Sequence, residues 1–382
     1  MEHLINNRVK NIEISGIRKF FNMVAHVEDM VSLTIGQPDF PTPEHVKKAG
    51  MRAIEANITT YTHNAGLIQL REAAADFYRK KYHVDYSADH ETIITVGASE
   101  AIDIAFRTIL EEGCEVIIPG PVYPGYEPII TLCGAIPVYA DIRKTQFRMT
   151  ARLIESLITD KTRCIVLPYP SNPTGVSLNG EELKEIADLL KDKEIFVLAD
   201  EIYSELVYDQ NHISIAKFMK EKTIVINGLS KSHSMTGWRI GMLFAPQYLA
   251  GHILKVHQYN VTCATSITQM AALEALTAGI DDALPMKREY QSRRDYVFNR
   301  LKAMNLEVIK PEGAFYLFVK IPQAGISSFD FCIKLVNEAK LAVVPGSAFS
   351  ELGEGYFRLS YAYSMDTLSE GMNRLERFLE NQ

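Results

Sequence analysis

Little in this 382-residue chain points to a secreted, membrane-bound or nucleic-acid-binding life. Its five cysteines (Cys114, Cys133, Cys164, Cys263, Cys332) are odd in number and scattered, without CxxC or paired Cys/His spacing. They read as small reduced core residues rather than as disulfides or metal ligands. No apolar run approaches the roughly 20 residues of a membrane span, and Met1-Glu2-His3-Leu4-Ile5-Asn6-Asn7-Arg8 lacks the apolar core of a signal peptide. A cytoplasmic location is expected. Charge blocks, low-complexity tracts and internal repeats are missing too. A formal charge of -7 and a pI near 5.9 argue against a nucleic-acid face or an anionic-membrane anchor. No GxGxxG with a following acid marks a dinucleotide site.

The composition itself, 47% hydrophobic and 23% charged, is that of an ordinary soluble globular protein. At this length one core stops growing, so two domains are expected. The organising stretch is Gly228-Leu229-Ser230-Lys231-Ser232-His233-Ser234-Met235-Thr236-Gly237-Trp238-Arg239-Ile240-Gly241. It follows Thr223-Ile224-Val225-Ile226-Asn227, a β-branched run that reads as a buried strand. Lys231 therefore sits just past a strand's carboxyl end, where open α/β sheets place ligands. A lone loop lysine is most often solvated. Here Ser230, Lys231 and Arg239 together supply a hydroxyl, an amine and a planar guanidinium. The set suits a phosphate held by Ser230 and Arg239 and a carbonyl held by Lys231. Pyridoxal 5'-phosphate has both groups, and the stretch resembles the lysine signature of the class I/II aminotransferases of fold type I.

Other strand ends repeat the pattern. Val31-Ser32-Leu33-Thr34-Ile35 reads as a strand stopped by Gly36-Gln37-Pro38-Asp39. Ile93-Ile94-Thr95-Val96 turns through Gly97-Ala98-Ser99 into a helix, whose free amides suit an anion. In Pro121-Val122-Tyr123-Pro124 two prolines hold Tyr123 extended, with a face free to stack on a ring. Cys164-Ile165-Val166-Leu167-Pro168 runs toward Ser171-Asn172-Pro173-Thr174-Gly175, and Glu194-Ile195-Phe196-Val197-Leu198-Ala199 runs into Asp200-Glu201-Ile202-Tyr203. A helix predicted over 181–190 lies between them, giving a β-α-β unit, so both polar clusters emerge on the edge that carries Lys231. Asp200 either caps a following helix or is partly buried against a cation. Helices are predicted over 252–259, 266–277 and 284–303. Arg358 falls within a strand, where an arginine is most often solvated.

The resemblance covers nearly the whole chain, from Gly36 to Arg358, in the family's order. It implies an α/β fold: a large domain, 42–285, with a mostly parallel seven-stranded sheet flanked by helices, and a smaller α+β domain from 1–41 and 286–382. It implies that Lys231, Asp200 and Tyr203 are catalytic, and that Ala98, Ser99, Ser230 and Arg239 hold the cofactor phosphate. Tyr61 would complete that cup from the partner subunit of a homodimer. Tyr123 would stack on the ring, Asp200 would touch its nitrogen, and Asn172 and Tyr203 its phenolate oxygen. Gly36, Asn172 and Arg358 would take the substrate, Arg358 through a two-pronged pair with the α-carboxylate. The implied reaction moves an amino group from an amino acid to a 2-oxo acid, with 2-oxoglutarate and glutamate as one pair. Within the family the chain is most similar to the Bacillus-type enzymes assigned to N-acetyl-LL-diaminopimelate in lysine biosynthesis. Aspartate or aromatic amino acids are the alternatives, as is carbon-sulfur lysis on the same scaffold, because fold does not fix reaction. A DNA-binding regulator would need a helix-turn-helix domain, for which no room is expected before Gly36. Some members that accept dicarboxylic acids carry a lysine where Ser99 stands, so that selector is absent here; Arg18 or Lys19, in the N-terminal segment, is a candidate source of charge at the substrate mouth, which the sequence leaves open.

Overall fold

The computed structural model describes residues 1–24 and 26–381. In chain order its strands are β1 (Val31–Ser32), β2 (Thr92–Thr95), β3 (Glu115–Gly120), β4 (Ile136–Asp141), β5 (Thr162–Leu167), β6 (Phe196–Asp200), β7 (Thr223–Gly228), β8 (Gly241–Phe244), β9 (Tyr316–Lys320), β10 (Leu341–Ala342), β11 (Val344–Pro345) and β12 (Tyr356–Ser360). Seven of them form one sheet in the order β2-β8-β7-β6-β5-β3-β4. The interior strands are near-continuous Val/Ile/Leu runs because both faces are covered. Alternate side chains serve opposite layers. Val116 and Ile118 pack with Ile102, Phe106 and Ile253 on one face. Ile117 packs with Phe77, Ile186 and Ala272 on the other. Each fully buried aliphatic side chain contributes about 1.5–3 kcal/mol, enough together to hold strand ends that carry costly polar groups.

Direction decides where those ends lie. Strands β3 to β7 run parallel, whereas β8 is antiparallel to both β7 and β2. Gly241, at the start of β8, pairs with Thr95 at the end of β2 and with Gly228 at the end of β7. The carboxyl ends of six strands and the amino end of β8 thus share one edge of the sheet.

A third apolar cluster joins Phe315, Leu317, Phe357 and Leu375 with Phe20 and Val24 from the helix Gly16–Val24. Around it, β11-β12-β9 form an antiparallel sheet and β1 pairs in parallel with β10.

Several local expectations change. The 31–35 strand shortens to Val31–Ser32, because Thr34 turns its carbonyl to the Arg358 guanidinium at 2.6 Å instead of to a neighbouring strand. The helix expected over 252–259 extends to Gln247–Val261, while Ser266–Thr277 matches its expected bounds. β8 occupies a stretch read only as the start of helical sequence; four residues are too few for periodicity to declare a strand. β4 is interrupted in sequence by Pro137, which the sheet accepts because β4 is its edge. Cys114, Cys164 and Cys332 are buried as expected, but Cys133 and Cys263 are only half-buried. Among the described residues no helix is long and apolar enough to cross a membrane.

Candidate active site

A cavity of about 350 Å³ opens at the shared edge. Eleven of the twelve predicted site residues line it: Gly36, Ala98, Ser99, Tyr123, Asn172, Asp200, Tyr203, Ser230, Lys231, Arg239 and Arg358. Tyr61 does not; its side chain is 85% exposed on the surface.

Lys231 is the third residue of a single helical turn, Leu229–Ser232, that starts where β7 stops. Its Nζ donates to the Gly36 carbonyl at 2.7 Å. Burial, then the Arg358 and Arg239 charges, push its pKa down to about 8, against the pull of Asp200. Such an amine is readily available in its neutral, nucleophilic form.

Asp200 closes β6 and is buried. Its Oδ2 accepts from the Tyr126 hydroxyl at 2.6 Å and its Oδ1 from the Ile202 amide at 3.2 Å. Burial raises its pKa while these two donors hold it back. A turn follows β6 rather than a helix, so Asp200 is not a helix cap.

At another wall, Arg239 lies over the start of the helix Gly97–Ile109. A Cβ on Gly97 would fall 2.6 Å from the Arg239 Nη2, and Gly97 also has φ +77°, so both sterics and backbone call for glycine. Free helix amides and a guanidinium converge there, an arrangement that binds a phosphate. Among the described residues Arg239 Nη1 donates to the Thr236 carbonyl alone, at 3.0 Å.

Arg358 comes from β12 and is 2% exposed. Its Nη1 donates to Asn172 Oδ1 at 2.9 Å and its Nη2 to the Thr34 carbonyl, while Nε has no partner. The guanidinium lies 4.4 Å from the Tyr316 ring centre and 4.9 Å from that of Phe349. Burial lowers its pKa. No carboxylate pairs with it among the described residues, and a buried cation with neutral partners alone is costly until an anion arrives.

Nine further residues line the cavity, among them Tyr126, Tyr316, Gln37 and Ile17, which were not anticipated. The Tyr316 hydroxyl stands 2.8 Å from that of Tyr203, and a Cβ on Gly36 would meet it at 2.6 Å. Tyr316 belongs to Gly313-Ala314-Phe315-Tyr316-Leu317, a visible motif whose spacing says nothing about a partner 113 residues away. The N-terminal helix reaches the mouth through Ile17 instead of a cation. Arg18 and Lys19 are exposed, and Lys19 pairs with Glu13 at 2.6 Å.

The sequence model of the family described as aminotransferase class I and II matches residues 28–375, which takes in every site position from Gly36 to Arg358. This chain belongs to that family. The aminotransferase is 62% identical to a Bacillus subtilis strain 168 protein named "Probable N-acetyl-LL-diaminopimelate aminotransferase", over 99% of this chain and 96% of that one. It is 39% identical to aromatic-amino-acid aminotransferase 2 of Thermococcus litoralis, with 99% of each covered. The aspartate aminotransferase of Thermus thermophilus, solved with maleate, superimposes on the aminotransferase with a TM-score of 0.93 at 33% identity, covering 98% of this chain and 99% of that one. The α/β fold of the aminotransferase, with its mostly parallel seven-stranded sheet, is the fold of these enzymes.

Proposed function

We propose that this aminotransferase holds pyridoxal 5'-phosphate in the cavity and exchanges an amino group between N-acetyl-LL-diaminopimelate and 2-oxoglutarate, as a cytoplasmic homodimer serving lysine biosynthesis. One observation carries the chemical part. A buried amine with its pKa pushed down to about 8 shares a cavity with a buried carboxylate and a buried guanidinium that lacks an anion. When bound, the cofactor supplies an aldehyde that takes the amino group and a ring that draws electrons from the substrate's α-carbon. Lys231 holds the cofactor carbonyl and, once freed, moves the proton from the α-carbon. Asp200 keeps a proton on the ring nitrogen. Asn172 and Tyr203 donate to the phenolate oxygen; Asn172 accepts from Arg358 through Oδ1, so its Nδ2 is the atom left to donate. Tyr123 stacks on the ring, and Ala98, Ser99, Ser230 and Arg239 hold the phosphate. Gly36, Asn172 and Arg358 receive the α-carboxylate. We carry the division into a 42–285 cofactor domain and a small domain from 1–41 and 286–382 as part of the same reading; the apolar cluster around Phe315, Leu317, Phe357 and Leu375 supports it, being drawn from 1–41 and 286–382 except where Ile202, Tyr203, Leu206 and Tyr208 join it from the larger part.

The choice of donor rests on the name of the 62% identical relative. Aspartate and aromatic amino acids come next, from the names of the other two. A screen of amino donors with 2-oxoglutarate as acceptor tests the order. A higher kcat/KM with aspartate or phenylalanine than with N-acetyl-LL-diaminopimelate overturns it.

Arg358→Lys keeps the charge and loses the planar fork, so it is expected to raise KM for donor and acceptor by comparable factors, since both have an α-carboxylate. Steady-state kinetics for each substrate checks this. A defect confined to one of them contradicts the shared role.

The dimer proposal turns on Tyr61, which stands exposed outside its own chain's cavity. If it donates to the phosphate across the interface, Tyr61→Phe is expected to cost about 1.5–3 kcal/mol of cofactor affinity. Mixing Lys231→Ala chains with Tyr61→Phe chains then gathers both defects in one site and leaves the other whole. Wild-type cofactor affinity in the active half of the sites is the expected result. No recovery in exchanged dimers rules the arrangement out.

A further inference from the structure

A set of buried polar side chains outside the cavity has no task in the chemistry above. Asn227, next to last in β7 and 3% exposed, is its hub. Its Oδ1 accepts from the Gly228 amide at 2.7 Å, at the point where the turn bearing Lys231 begins. Its Nδ2 donates to the Tyr78 hydroxyl at 2.7 Å and to Ser204 Oγ at 3.0 Å. Tyr78 in turn donates to Glu201 Oε2 at 3.1 Å, and Glu201 faces His212 Nε2 at 3.2 Å. The Tyr82 hydroxyl stands 2.7 Å from Ser204 Oγ and 2.6 Å from Glu205 Oε1. None of these side chains lines the cavity.

Their places in the chain are what matter. Glu201 follows Asp200, Ser204 follows Tyr203, and Gly228 precedes the turn of Lys231. Tyr78 and Tyr82 come from the helix Ile68–Tyr82, so a rigid element outside both turns ties them together. Buried polar groups are costly unless paired, and a paired network fixes one arrangement; Asn227, Tyr78 and Ser204 are all hydrogen-bonded, and only the outlying His212 Nε2 is not. We infer that Asn227, Tyr78 and Glu201 are positioning residues: they hold the end of β6, with Asp200, at a fixed distance and orientation from the Lys231 turn. The inference rests on the roles proposed above for Lys231 and Asp200.

The protein contains its own control. Tyr86 belongs to the same aromatic group, with its ring 6.0 Å from Tyr78 and stacked 4.9 Å from Phe244, but its buried hydroxyl has no hydrogen-bond partner. Tyr78→Phe and Tyr86→Phe each remove one buried hydroxyl; only the first cuts the network. In the cofactor-loaded dimer, Tyr78→Phe is expected to lower kcat about ten-fold, as sub-ångström misplacement does, with KM for both substrates kept within about two-fold. It is also expected to displace the midpoint of the pH titration of the cofactor's visible absorbance and to speed amide hydrogen exchange across 226–235. Tyr86→Phe is expected to leave all three as in wild type. Equal behaviour of the two variants, or a change in KM with kcat intact, overturns the inference. A wild-type protein that binds no cofactor would instead overturn the proposed function, so the two failures are distinguishable.

Discussion

Lys231→Ala is expected to lower turnover by on the order of 10⁵-fold or more, because in the proposed chemistry one group serves as both nucleophile and proton carrier and, among the described residues, no other lysine lines the cavity. Borohydride reduction of the wild-type protein is expected to fix the cofactor on the peptide that contains Lys231. Trapping on a different lysine would sink the assignment. The lowered pKa adds two pH effects. The neutral amine is the reactive form, so the rate of cofactor capture by the cofactor-free protein is expected to rise with pH and level off above about 8. Stability runs with the same sign. Between about 8 and the usual lysine value of 10.5 the unfolded chain binds more protons than the folded one, so stability rises with pH across that window and the burden is greatest below it. Lys231→Met, which keeps the packing and removes the charge, is therefore expected to stabilise the cofactor-free protein at pH 7 by as much as about 3 kcal/mol. Denaturant titrations at pH 7 and pH 10 check this: the gain shrinks at the higher pH. An equal loss of stability at both values would mean that Lys231 is an ordinary packed residue.

Asp200→Asn is expected to lower kcat by several powers of ten, on the order of 4 kcal/mol or more, with cofactor still bound. The side-chain oxygen of asparagine can still accept a hydrogen bond from Tyr126 or Ile202, so the wall of the cavity stays in place. What would disappear is the negative charge proposed to keep a proton on the ring nitrogen, a charge that on that reading matters most as electrons leave the α-carbon. Turnover near that of wild type in Asp200→Asn would leave the carboxylate with a purely structural part.

The parts of this arrangement that local chemistry dictates were legible in the sequence. A buried β-branched run ending in a polar residue announces a strand end, and Asn172, Asp200 and Lys231 were each found that way. Their convergence followed from one β-α-β unit, since parallel strands share an edge. Arg239 followed from its motif alone. The geometric reason it lies beside Lys231 is the reversal of β8, which four residues of sequence do not announce. Tyr316 and Tyr126 stayed hidden because a buried tyrosine reads as packing until its hydroxyl's partner is known. For Tyr316 and Tyr126 those partners, Tyr203 and Asp200, lie 113 and 74 residues away in sequence. Arg18 and Lys19 raise the opposite question, which sequence left open. Net charge near a mouth is visible in sequence, but helix phase decides which side chain enters, and it is Ile17 that does.

The Arg358 guanidinium, proposed to face the substrate, stands on β12, in a different sheet from the strands whose ends carry Ala98, Asn172, Asp200 and Lys231. Between Arg358 and those strand-end side chains there is a single hydrogen bond, to Asn172. A small shift of one sheet past the other would therefore act on the proposed carboxylate grip, through that bond and the Tyr203–Tyr316 contact, while the residues proposed for the phosphate cup stand on the other sheet. On the roles proposed above, the molecule suits two tenants with different leases: one that stays through many cycles, seated mainly on the strand ends of one sheet, and one that must leave after each, clasped from a second.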